Sequence, residues 1–378
     1  MTDRRLLALQ TIFALNGLGI AVWFPRIPDV KEALGLDLVT LALCLFGLPV
    51  GTMLGLLVTG RITLVLGLKR TCLLFGPGFL IAMIGPGFAT DAVTLFAALF
   101  VAGLAVAMIE VGMNAKASQM EQASGRRLMT RCHAFWSFGT VGGGAIGGAF
   151  AEAGWSLLGQ QLVLQPVFAL ATLAAARHLA PDAPAAPAAR RGFTWPAAAL
   201  LALCLVPLGA LLVEGAMMEW SALVMRDTRA AGPFTAGLGL SVFALAMATG
   251  RLAGDRLAEL FGPRRVIVAS GLAMAAGIAG FALLPSIPLA LAAAAVTGLG
   301  AANVYPLALS LAAQLPGRRP EENVATVALI AFSAFLLGPP LIGTLGSVFG
   351  LTTAIALLTP LGLVPLAILG RDAARARA

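Results

Sequence analysis

The sequence predicts an all-α integral membrane protein, with twelve transmembrane helices in two six-helix bundles. Three observations carry this. Hydrophobic residues make up 59% of the 378 residues and charged residues only 11%, against roughly 25% charged in a soluble domain. The apolar residues gather into segments of bilayer-crossing length, about 20 residues each. An offset of 195 superposes the two halves: Arg61, Gly67, Lys69 and Arg70 fall on Arg256, Gly262, Arg264 and Arg265. Gly55 falls on Gly250, Gly103-Leu104 on Gly298-Leu299, and Gly143 on Gly338. Six spans, a linker and six related spans form a parallel repeat, which places a solute site near mid-membrane between the bundles.

Taken in order, span 1 covers about 6–25 with Asn16, and no small-residue cleavage site follows it, so it reads as a permanent span. Span 2 is 38–60 and span 3 is 71–89, joined by a basic loop from Gly60 to Arg70. Span 4 is 92–114, followed by a loop over 115–131. Span 5 is 132–152 with His133, Trp136 and a glycine run, and span 6 is 157–176 with Gln165. The prolines at 181, 184 and 187 among alanines predict an extended, solvated cytoplasmic linker. Span 7 is 196–222 with Glu214 and Glu219, and span 8 is 236–254. Spans 9 to 12 cover 266–284, 287–313, 323–346 and 350–369. The domains are therefore 1–176, 177–195 as linker and 196–378.

The formal charge of +8 could suggest nucleic acid. The basic residues instead recur in small groups between apolar segments, as topology signals do, and no nucleic-acid partner is expected. All but Arg26, Lys31, Arg226 and Arg229 of the 25 Lys and Arg fall on one side of the alternating loops. That bias predicts both termini in the cytoplasm. The four cysteines lie scattered in apolar segments and read as packing residues. No nucleotide loop, metal-ligand cluster or nucleophile–base pattern appears, so neither an enzyme nor a cofactor is expected.

Polar residues inside the spans carry the functional reading. Glu110 and Asn114 stand one turn apart on one face of span 4. A carboxylate at that depth is costly unless it faces a polar cavity or finds a partner, and is functional by default. Glu110 is the candidate proton carrier, with His133 as relay; the bland alternatives are a headgroup contact and an interfacial imidazole. Glu214 is the candidate solute-facing carboxylate. Glu219, about 140° further round the helix, is expected at the outer mouth. Asn16, Asn114, Gln165, Asn303 and Tyr305 could bond hydroxyls, and Trp136 could offer a ring face; helix packing is the alternative for each.

The loop from Gly60 to Arg70, with its paired basic residues, resembles the signature loop of the major facilitator superfamily. The resemblance spans nearly the whole chain and implies alternating access. One departure is Leu64, where that family usually has Asp; the second-half counterpart is Glu259. The E-x-x-x-N pattern of Glu110 and Asn114 resembles the fucose–proton symporter group, where a span-4 acid is implicated in proton-linked sugar transport. The stretches from His133 to Gly139 and from Glu214 to Ser221 look like a bacterial branch that includes rhizopine (inosamine) permeases. The resemblance implies a small polar solute and protons as partners within the lipid bilayer, and a monomer. A proton antiporter exporting drugs or metabolites is the runner-up, because of the span-5 glycines. A transport-inactive receptor is the reading from another class. For gating, Glu259 is expected to hold the N-terminus of span 5, where Arg131 sits. The signature-loop arginines Arg61 and Arg256 flank that latch.

Overall fold

The computed structural model describes residues 3–125, 128–182 and 196–375. The described residues are helical throughout, with no strand among them. Eleven helical segments are long and apolar enough to cross a membrane. A further helix, Met129–Glu152, holds the place of span 5 but is not one of the eleven. Span 1 is Asp3–Ala21, span 4 Ala92–Ser124, span 6 Leu157–Arg177, span 7 Ala198–Arg229 and span 8 Pro233–Phe261. Span 10 is broken into Ile287–Ala301 and Val304–Ala313, and span 11 is Pro320–Phe349.

Several helices outrun the expected spans. Span 4 continues ten residues beyond 114. The sequence there, AKASQMEQAS, is rich in helix formers, and Gly125 in the left-handed region stops it (φ 64°). The expected loop over 115–131 is therefore mostly helix. Asp91 starts span 4 with a capping box: Thr94 N–H donates to Asp91 Oδ1 at 2.8 Å, and Asp91 N–H donates to Thr94 Oγ1 at 3.1 Å. Asp37 caps Leu38–Leu45 in the same way, accepting from Thr40 N–H at 2.7 Å.

Two compact units result: Met1–Pro184 with Trp220–Ser241, and Ala185–Glu219 with Val242–Ala378. The sequence repeat reappears as a packing repeat inside them. A Cβ on Gly55 would meet Ala107 Cβ at 2.7 Å, and one on Gly250 would meet Ala302 Cβ at 2.8 Å. The backbone carbonyls of Leu48 and Phe243 lie against Gly103 and Gly298. Each of these contacts maps onto the other at the same offset. Gly67 and Gly262 both take positive φ, 79° and 82°, at the start of the next helix. An L side chain is strained there, which accounts for glycine at both.

In the first unit, Gly139, Gly143 and Gly147 bring span 5 onto the span 1 backbone at Ala14, Ala21 and Val22. Gly144 and Gly148 on a neighbouring face receive Gly237, Ser241 and Phe234. Small residues at this spacing let helix backbones touch. The glycine run is thus accounted for by packing.

Most of the expected linker, residues 183–195, lies outside the described residues. Of its described residues, Arg177, His178, Pro181 and Asp182 are exposed, while Leu179 is buried and Asp182 pairs with Lys116 of the first unit. Trp23 and Trp220, at positions suited to an interfacial belt, are also buried.

Candidate functional site

In the first unit, span 4 and span 5 bring three candidate residues into one chain. The Asn114 side-chain amide donates to the Glu110 carboxylate at 3.1 Å and to the Glu110 carbonyl at 2.8 Å. The helix itself provides this, since residues four apart lie on one face. Asn114 Oδ1 then lies 3.1 Å from His133 Nε2. With the Asn114 amide nitrogen facing Glu110, its oxygen can only accept, so His133 carries a proton on Nε2. Phe13 of span 1 sets the imidazole plane with an edge contact at 5.4 Å.

One turn further along span 5, the Trp136 indole donates to Asn16 Oδ1 at 3.0 Å. The other side-chain atom of Asn16, Nδ2, is buried without a partner. Gln165 is fully buried and donates to Gly19 O and to Gln161 Oε1, both at 2.8 Å. It lies in the seam between spans 1 and 6, beside the Asn16–Trp136 pair in chain terms but bonded elsewhere.

In the second unit, Glu214 of span 7 pairs with Arg251 of span 8 at 3.6 Å. Both side chains are largely buried, at 9% and 21% exposure. Tyr305 packs against the buried cluster of Leu211, Leu212, Ala331 and Ala334. Its ring meets Phe332 edge-on at 5.6 Å, and Phe332 meets Phe335 at 5.9 Å. Gly215 lets Phe335 approach span 7 beside Glu214. Asn303, at the break in span 10, donates to Gly250 O at 2.9 Å, next to Arg251. Arg251, near the end of the expected span 8, lies well inside the longer helix and is bound to a mid-helix carboxylate. Nothing in the spacing marked it, because Arg251 precedes a loop by less than its own helix overruns the expected boundary.

Two ionic clusters also escaped the sequence reading. Buried Arg26 donates to Asp29 and Gln160, both at 2.6 Å, and to Trp155 O at 2.7 Å. Asp29 also pairs with Arg226 of span 7, which belongs to the same unit. At the other end, the fully buried Lys116 donates to Asp182 at 2.8 Å and to Gln119 at 2.7 Å. The same Asp182 accepts from the Lys69 N–H at 3.1 Å, and Lys69 Nζ donates to Arg177 O and Leu179 O. Short-range patterns cannot reveal pairs separated by 66 or 197 positions.

The expected gating residues Arg61, Arg131, Arg256 and Glu259 are all exposed. The first N–H groups of span 5 already have a carboxylate: Glu121 Oε2 accepts from Leu128 at 2.6 Å and Met129 at 3.0 Å. Among the described residues, no group of three or more His, Cys, Asp or Glu could hold a metal ion.

Among known proteins, the chain is 31% identical over 342 residues to an uncharacterised MFS-type transporter of Yersinia pestis, covering 90% of this chain and 89% of that one. It is 29% identical over 368 residues to the membrane protein MosC of Rhizobium meliloti, covering 93% and 86%. Residues 215–377 match the family model described as Major Facilitator Superfamily. In fold it is similar to a D-xylose–proton symporter, with a TM-score of 0.78 at 13% identity over 97% of this chain and 96% of that one. It is similarly close to the nucleoside transporter NupG, with a TM-score of 0.77 at 13% identity, covering 97% and 99%. With its repeat, its helices and these relatives in agreement, the chain belongs to the major facilitator superfamily.

Proposed function

We propose that the protein is a proton-coupled symporter for a small polar solute, a sugar, polyol or amino-cyclitol such as a rhizopine. It works by alternating access in the bacterial inner membrane, as a monomer with both termini cytoplasmic. The observation that carries this reading is the Glu110–Asn114–His133 chain inside the first unit. A carboxylate in a span needs either a proton or a partner, and among the described residues the side-chain partner of Glu110 is a neutral amide, that of Asn114. Loading a proton on Glu110 removes a charge, and the Asn114 amide passes that change to His133 through one hydrogen bond at each end. The carboxylate's state is thus tied to the contact between spans 4 and 5.

Asn16, Trp136 and Asn114 supply acceptors, donors and a ring face for a hydroxylated solute, as Glu214 and Tyr305 do in the second half. Gln165 and Asn303 shape this path by fixing neighbouring helices. The two-bundle division, 1–176 and 196–378 about a linker at 177–195, supplies the moving bodies. The relatedness to a sugar–proton symporter in fold is consistent with this reading. The antiporter alternative leans on the span-5 glycines, which pack against span 1 and span 8.

The test is uptake into proteoliposomes of labelled inositols, pentoses and amino-cyclitols, with and without an inward proton gradient. Accumulation only with the gradient supports symport. Solute efflux driven by that gradient would establish antiport, and no flux of any solute would leave a receptor.

A further inference from the structure

We infer that Arg251 is a charge-selectivity residue: by neutralising Glu214 within the membrane, it removes from the second-unit site any preference for amine-bearing rings over neutral hydroxylated ones. The inference rests on the transporter reading above and narrows its solute class.

The argument starts from cost. Arginine in the middle of a span is rare and expensive, and it faces either a partner or water. Arg251 does both. It holds Glu214 at 3.6 Å, and its side chain keeps 21% exposure while Glu214 keeps 9%. The pair is built in from both sides. Asn303 ties the adjoining Gly250 carbonyl to span 10, and a Cβ on the nearby Gly254 would collide with the same asparagine.

Beside the pair stand the Tyr305 ring, packed against the buried cluster that includes Leu211 and Leu212 of span 7, and Phe335 against Gly215. An aromatic surface beside fixed polar groups suits a ring with C–H faces and hydroxyl edges. A lone Glu214 would recruit an ammonium group. With Arg251 bound the local charge is zero, and an ammonium would meet a guanidinium already in place. Recognition then falls to hydroxyl hydrogen bonds, and a cation gains nothing over a neutral solute.

Charge-selective labelling of a cysteine at the site tests this without any substrate or any transport. Tyr305→Cys provides the target, since all four native cysteines are buried. It is treated with methanethiosulfonates bearing a trimethylammonium, a sulfonate or a neutral group. With Arg251 and Glu214 present, the cationic reagent is expected to react no faster than the neutral one. Arg251→Gln should raise the cationic-to-neutral ratio at least about tenfold, as one unpaired carboxylate a few ångströms away at intermediate dielectric would. Arg251→Lys should leave the ratio near its starting value. Glu214→Gln should instead favour the sulfonate, and the double variant should return both ratios towards the start. Glu214→Gln reads the pair from its other side if Arg251→Gln fails to fold. A ratio unchanged within twofold in both single variants would overturn the inference, as would a Tyr305→Cys thiol unreactive to every polar reagent until the protein is denatured. Charge-dependent labelling in a protein that moves no solute would count against the symporter reading alone.

Discussion

Arg226 of span 7 forms an ion pair with Asp29, whose second oxygen accepts from the buried Arg26 at 2.6 Å. One carboxylate thus joins the end of span 1 to a helix from the other half of the sequence. Arg26 is itself held by Gln160 and Trp155 O of the span 5–6 connection, so Asp29 is anchored on a rigid base. On the proposed orientation this knot lies at the outer face.

Asp29→Asn should therefore loosen the outer end of span 7. Spin labels at Leu36 and Ala230 should show longer and broader distances, and the melting temperature should fall by several degrees. Arg26 is left buried with neutral acceptors only, which costs about 1–3 kcal/mol. Exchanging the charges in Asp29→Arg with Arg226→Asp should restore little, because Arg26 would then face a second cation. An unchanged distance distribution would make the pair a packing feature only.

Glu110→Gln keeps shape and removes the titrating proton. Accumulation driven by a pH gradient should be lost, while solute exchange between two sides at equal pH continues. His133→Gln should weaken the pH response less, since it sits one hydrogen bond further away. Gradient-driven accumulation at the native level in Glu110→Gln would end the proton-carrier role.

Asp182→Asn leaves the fully buried Lys116 ammonium without its anion. Breaking a buried pair from one side costs about 3–5 kcal/mol, so a large drop in thermal stability is expected. Lys116→Met should recover much of that loss in the double variant. Equal losses in single and double variants would show that the pair contributes no coupling.

The start of span 5 separates two gating ideas. Glu121→Gln should destabilise the helix end by about 0.5–2 kcal/mol, as for the loss of a cap. Glu259→Gln should leave stability unchanged and shift distances between labels on the cytoplasmic ends of spans 5 and 8, if the one-sided latch operates. A shift in Glu121→Gln alone would assign that helix end wholly to its own loop.

The caps on spans 2 and 4 should give a mild acid sensitivity. Hydrogen bonds from Thr40 and Thr94 hold the Asp37 and Asp91 carboxyls below their ordinary value of 3.8. A lowered folded value means the stabilisation is complete above about 3.8 and disappears as pH falls through the folded value. Melting temperature measured downward from pH 5 should show this loss in the native protein. Asp91→Ala, less stable at neutral pH for want of its cap, should show less of it.

The sequence by itself determined the class, the repeat and the polar residues worth examining. Period and composition do this because a bilayer demands long apolar helices with every backbone group paired internally. Glu110 and Asn114 were legible as a pair because the helix puts them together at four residues' spacing. The glycines at the common offset were legible for a similar reason: each marks one close helix contact, made twice. Helix ends were less legible, since charged residues after 114 and before 236 continue helix as readily as they end it.

Only the tertiary structure decided which charge meets which. Arg251, at the end of the expected span 8, carried no assigned role in the sequence and is the partner of Glu214. Lys116 falls in the expected loop over 115–131 and is fully buried against Asp182. Asp29 gathers two arginines, one of them from the other half of the chain. Ion pairs form through space between side chains with no shared period, and their cost or benefit depends on burial that no local pattern encodes. The sequence therefore named the carboxylates, and the packing of helices chose their counter-ions.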